Sequence, residues 1–103
     1  MTADDLKQII EQNSDVRYLK FISRQKKEYW VKQAELDTHS GNKITLKVTD
    51  EFPERHYILQ TLRLFLGYFS DAELLVQIDH EFRKISNKHK FDENHTIIIY
   101  EDA

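Results

Sequence analysis

Between Pro53 and Ile85 apolar side chains recur so densely at helical intervals that the remainder of the chain has to be arranged around this stretch. Pro53 follows the turn-like residues Thr49, Asp50 and Glu51. Proline suits the first position of a helix, where its missing N–H would have had no partner, so a helix is expected to start there. Ile58, Leu62, Phe65 and Phe69 then recur at spacings of four, three and four, and Leu59 and Leu66 widen the stripe. Such a helix needs cover on more than one side. Gly67 near its end marks a frayed turn or a close neighbour. Ser70-Asp71-Ala72-Glu73 reads as a capping box that opens a second helix. Along it Leu75, Ile78, Phe82 and Ile85 repeat at three, four and three, and Asp79 and Arg83 sit at (i, i+4) as an exposed ion pair. With no loop residues between them, the two helices are expected to form a corner or tight hairpin around one core.

The flanking segments supply the sheet. Thr2 with Asp5 three residues on is a helix N-cap, and Leu6, Ile9 and Ile10 form a short apolar stripe behind it. Residues 16–36 fit two readings. As strands, Val16 to Ile22 and Tyr29 to Leu36 are rich in β-formers and flank a polar turn at Gln25-Lys26-Lys27. As a helix, Leu19, Ile22 and Tyr29 share a face with the polar Lys26 and Gln33, and Phe21 and Trp30 are left elsewhere. The strand reading is the more economical. After the turn cluster His39-Ser40-Gly41-Asn42, Ile44, Leu46 and Val48 alternate strictly with polar residues, as in a half-buried strand. Ile97-Ile98-Ile99, bounded by the turn residues Asp92-Glu93-Asn94, reads as a strand covered on both faces.

The expected fold class is therefore a single α+β domain spanning 1–103. It has a short N-terminal helix, an antiparallel three-stranded meander, two consecutive helices packed on the sheet, and a C-terminal strand returning to it. A length of 103 residues suits one domain. No repeat or linker is visible. With no cysteine, an N-terminus that begins acidic and polar, and no apolar run near the roughly 18 residues of a membrane span, a cytoplasmic protein is expected.

No motif carries specific chemistry. Two glycines in all exclude Gly-rich phosphate loops, and neither an H-E-x-x-H nor a G-x-S-x-G pattern occurs. The five histidines (His39, His56, His80, His89 and His95) are scattered, and Asp79-His80-Glu81 are neighbours that point in different directions on the expected helix. Acid/base work would need burial, yet the carboxylate pairs Asp4-Asp5, Asp50-Glu51, Asp92-Glu93 and Glu101-Asp102 all fall at termini or turns, where solvated caps and loop charges explain them better. Ser40 beside His39 has nothing to orient it as a nucleophile. The reading is a non-enzyme with no metal and no cofactor.

Charge is unevenly placed. From Arg17 to Lys47 eight basic residues stand against three acidic ones, a net of +5, and from Val48 to Phe82 seven acidic residues stand against two basic ones, a net of −5. One consequence is purely structural, since lysines on a sheet keep its edges from pairing with other chains. A functional consequence is a small protein-binding module, such as an inhibitor, immunity protein or adaptor of bacterial or phage type. Its partner protein would meet the acidic helical surface of Asp71, Glu73, Asp79 and Glu81. The alternative is single-stranded nucleic-acid binding through a basic, aromatic sheet face made by Arg17, Lys20, Lys26, Lys27, Trp30 and Lys32. A net charge of −3 and an isoelectric point near 5.9 weigh against that alternative.

Overall fold

A computed structural model describes residues 1–13, 15–37, 42–52 and 59–102, without the side chains of residues 60 and 61. The elements run α1 (Ala3–Glu11), β1 (Tyr18–Ile22), β2 (Glu28–Asp37), β3 (Lys43–Thr49), α2 (Leu59–Tyr68), β4 (Glu73–Ile78), β5 (Glu81–Asp92) and β6 (Thr96–Glu101). The six strands close into a barrel in sequence order. Neighbours pair antiparallel except at two seams, where β3 meets β4 and β6 meets β1 in parallel. The chain is thus a helix and three antiparallel strands, taken twice, with both parallel seams joining one half to the other.

This corrects the expected architecture, an α+β domain with an open meander under a pair of helices. The stretch read as the second helix is a β-hairpin. In β4, Leu74 and Val76 are fully buried while Leu75 and Gln77 between them are not, which is the period of two of a strand. Asp79 and His80 make the turn to β5, with Asp79 in the left-handed region at φ 56°, which aspartate tolerates better than most residues. Ser70 caps nothing. Its carbonyl accepts from the Asp4 amide at 3.0 Å, and Ala72 and Phe69 close a turn through their backbones. The Asp79–Arg83 pair does not form, because Arg83 turns to Glu81 and Glu101. The helix before it is present as α2, but its expected start at Pro53 lies outside the described residues, as does the His39-Ser40-Gly41 turn.

Four strands, β1, β3, β4 and β6, begin at one mouth of the barrel. There α1 forms behind the expected cap: the Thr2 hydroxyl accepts from the Asp5 amide and the Asp5 carboxylate accepts from the Thr2 amide. Thr2 bridges Glu73 at the start of β4, and the chain beyond α1 enters β1, on the opposite side of the ring. A helix of nine residues, about 14 Å long, therefore lies across this mouth. Leu6, Ile9 and Ile10 of α1 join Leu59, Leu62 and Leu66 of α2 in the core, which continues inside the barrel through Leu19, Phe21, Val31, Ile44, Leu46, Leu74, Val76, Ile85, Ile97 and Ile99. A six-stranded barrel is narrow enough for side chains to fill it.

Ile98, which faces outward between two inward isoleucines, is also buried, so β6 is covered on both faces. Phe82, which a helical reading placed in the core, is 57 % exposed on the outer face of β5. Phe21→Ala is expected to cost about 3–5 kcal/mol, and Phe82→Ala less than about 1 kcal/mol. Urea denaturation of the two variants separates the barrel from the helical alternative, which requires a large loss at Phe82.

The cap makes a second expectation. Hydrogen bonding from the Thr2 amide holds the Asp5 carboxyl below its ordinary value of 3.8. A carboxylate depressed in this way adds stability that is present above its unfolded pKa and lost as pH falls through the folded one. Asp5→Asn should therefore be less stable than the parent at pH 7 and equal to it at about pH 2, and Thr2→Ala should cost about 1 kcal/mol at neutral pH. Denaturant midpoints at the two pH values check both.

Candidate functional site

The barrel separates the acidic residues that a helix would have gathered. Asp71 lies in the turn between α2 and β4, and Glu73 is the first residue of β4, at the mouth that α1 crosses. Asp79 lies in the turn at the far end of β4 and Glu81 just after it, about 20 Å away along six strand residues. Glu81 is moreover engaged by Arg83. These four residues therefore share no helical surface, since the expected second helix is a β-hairpin that sets them at its two ends.

The basic and aromatic residues are brought closer together. Lys20 of β1 and Trp30 of β2 are register partners on the outer face, and the Lys20 ammonium lies 4.7 Å from the indole centroid and 3.3 Å from Glu28 Oε1. Trp30 meets the edges of Tyr18, at 5.8 Å between centroids, and of Phe52, at 4.9 Å. Phe52 and Tyr18 are 5.0 Å apart. The three rings are thus in mutual contact, with Phe52 still 58 % exposed, and Phe52, absent from the sequence reading, completes the cluster. Arg17 precedes β1, and Lys32 is exposed at the bulge between Val31 and Gln33. Lys26 and Lys27 belong to the β1–β2 turn, where the Lys27 ammonium sits 5.2 Å from the Tyr29 ring centroid.

At the mouth opposite α1 the structure holds a group that the sequence reading placed among solvated terminal charges. Glu101 continues the inward alternation of Ile97 and Ile99, and its side chain is 1 % exposed. Its carboxylate accepts from Arg83 Nη1 at 3.2 and 3.4 Å and from the Arg24 amide at 3.1 Å, and it lies 3.2 Å from Arg24 Nε. Arg24 Nε also donates to the Asp102 carbonyl at 2.8 Å. Hydrogen bonds from Arg83 to Glu101 and then Glu81 raise the guanidinium pKa further above its ordinary value, so Arg83 stays charged. The cluster ties the β1–β2 turn to the ends of β5 and β6. The signal in the sequence was the period of two that runs from Ile97 through Ile99 to Glu101.

A different surface lies at the helical end. Leu64 and Tyr68, one turn apart on the outer face of α2, are 62 % and 83 % exposed. They border a groove of about 370 Å³ with Lys7, Glu11, Arg63 and Gly67. Lys7 crosses Gly67 closely, with its Cε 3.6 Å from where a Cβ would stand, and its ammonium is 3.8 Å from Glu11. Arg63 makes no ion pair among the described residues.

Of the histidines, His80 lies exposed in the β4–β5 turn, His89 packs on the edge of Phe91, and His95 faces Asp15 at 3.2 Å, while His39 and His56 lie outside the described residues. No three metal-ligating side chains converge among the described residues, and no helix among them is long and apolar enough to cross a membrane. Comparison with protein families, with curated proteins and with solved structures finds no match.

The buried carboxylate gives a testable asymmetry. Glu101→Gln removes the charge that two guanidiniums share and is expected to cost about 1–3 kcal/mol. Arg24→Ala removes a guanidinium whose side chain is 60 % exposed, and should cost less than about 1 kcal/mol. Equal losses in thermal or urea unfolding would mean that Glu101 is not the centre of the cluster.

Proposed function

We propose that the protein is a small non-enzymatic binding module of the inhibitor, immunity-protein or adaptor kind, and that it holds another protein against the outer face of α2. The observation that carries this reading is the pair Leu64 and Tyr68, exposed one turn apart beside Arg63, which makes no ion pair among the described residues. Tyrosine and arginine are the residue types that anchor protein interfaces, because each covers much area or makes several hydrogen bonds for little lost freedom. The groove beside them carries the cations of Lys7 and Arg63 against the single carboxylate of Glu11. A partner segment presenting an apolar side chain next to a carboxylate would complement it. In this reading the contact lies on α2 rather than on Asp71, Glu73, Asp79 and Glu81.

A second reading, single-stranded nucleic-acid binding, rests on the cross-strand adjacency of Lys20 and Trp30. It ranks below the first because Trp30 already packs on two other rings and the Lys20 ammonium already meets Glu28.

A photo-crosslinking amino acid placed at Tyr68 in cells of the source tests the proposal. The expected result is one discrete protein adduct that disappears when Leu64→Asp is added. With that partner purified, Tyr68→Ala should weaken the complex by about 2 kcal/mol, roughly thirtyfold. No adduct from position 68, together with oligonucleotide binding that Trp30→Ala removes, would replace the first reading with the second.

A further inference from the structure

The β1–β2 turn carries a backbone choice that its sequence does not favour. Ser23 N–H bonds the Lys27 carbonyl at 2.9 Å and Lys26 N–H bonds the Ser23 carbonyl at 2.9 Å, which closes a three-residue loop whose last member is left-handed. That member is Lys26, at φ 68°. The other non-glycine residues in this region, Asp79 and His95, belong to types enriched there, and lysine does not. Glycine would serve the turn better. Strain of this kind directs attention to what the side chain does.

The side chain of Lys26 borders a hollow of about 530 Å³ on the barrel rim, within the roughly 300–1,000 Å³ typical of small-ligand sites. The hollow is also lined by Arg24, Lys88, Ser23, Ser86 and Tyr100. Lys88 arrives there because two extra residues of β5 bulge out between the Ile85 and His89 pairings. Neither Lys26 nor Lys88 makes an ion pair among the described residues. The Arg24 guanidinium is fixed through Nε, and its two terminal nitrogens have no partner there. Each serine hydroxyl accepts a backbone N–H, from Lys27 at 3.2 Å and from Lys88 at 3.1 Å, and keeps its own proton to donate. On the opposing side, Glu101 is held by Arg83 and Arg24, so among the described lining residues the Asp102 carboxylate is the one negative group left without a cation.

We infer that this rim hollow binds a small phosphate-bearing ligand, with Lys26, Lys88 and the terminal nitrogens of Arg24 around the anion and the two seryl hydroxyls donating to it. Three cations and two hydroxyls, from the β1–β2 turn and from the bulge of β5, suit a multiply charged group with several acceptor oxygens. A single carboxylate would leave part of that set unused.

The test titrates the full chain with inorganic pyrophosphate at about 50 mM salt, where exposed charges are weakly screened, following backbone amides by NMR. The expected result is saturable shifts confined to Ser23–Lys27 and Ser86–Lys88. Lys26→Gly removes the ammonium and relieves the left-handed strain together. It should weaken pyrophosphate binding about tenfold or more while leaving the melting temperature unchanged or higher, and Lys88→Ala should weaken it similarly. A Lys26→Gly variant that binds as tightly as the parent overturns the inference. So do shifts spread over the whole surface, or citrate binding equally well at the same amides.

Discussion

Parallel hydrogen bonding between β1 and β6, running from Tyr18 opposite Thr96 to Ile22 opposite Tyr100, is the contact on which the rest of the structure depends. Without it the six strands would be an open sheet with two unpaired edges, each able to pair with another chain. With it, every strand has two neighbours and the inward side chains enclose one another. Closure also creates two mouths that have to be blocked. One is crossed by α1 with α2 beside it, and the other is tied by the carboxylate of Glu101 between two arginines. The two solutions differ in chemistry because the first mouth has helices available, and the second has only turns and strand ends.

Much of the strand content was legible because the alternation is strict where a strand is flanked by clear turns. Ile44, Leu46 and Val48 show it in the sequence, and the unbroken isoleucine run of β6 was legible for a different reason, as a short apolar run bounded by turns. The failure between Ser70 and Ile85 has a physical origin. A two-residue turn at Asp79-His80 joins two strands so tightly that Leu75, Ile78, Phe82 and Ile85 fall at helical intervals although they belong to different strands. No glycine or proline marks the break, since Asp79 itself takes the left-handed position. The serine and glutamate of the supposed capping box are three residues apart in a turn, where the same spacing means nothing. Glu101 was missed for a related reason: a charged residue near a chain end is read as solvated unless the strand period is carried through it.

The segregation of charge along the chain does not survive folding as two patches. Barrel topology places the start and end of each strand at opposite mouths, so Glu73 and Glu81 part company, and cations such as Lys88, outside the basic segment, come to lie near Arg24 and Lys26. What remains are two local surfaces of different character, the tyrosine and leucine face of α2 at one end and the cationic rim at the other. Separated by the length of the barrel and sharing no side chain, they can be changed one at a time with nearly additive effects.

The twofold recurrence of one helix and three strands has a further meaning for how the ring is assembled. Each half, taken alone, is a small sheet with both outer strands unsatisfied, and the edges that β3 and β1 offer are those that β4 and β6 require. That is the arrangement of a closed pair of subunits written into a single polypeptide. Carrying both in one chain keeps their concentrations equal and holds the complementary edges within reach of each other. The halves differ in detail: an aromatic cluster lies on the outer face of the first, and in the second two extra residues bulge β5 toward the rim. A chain severed between β3 and α2 would still carry, in its two fragments, every strand edge needed to find its complement.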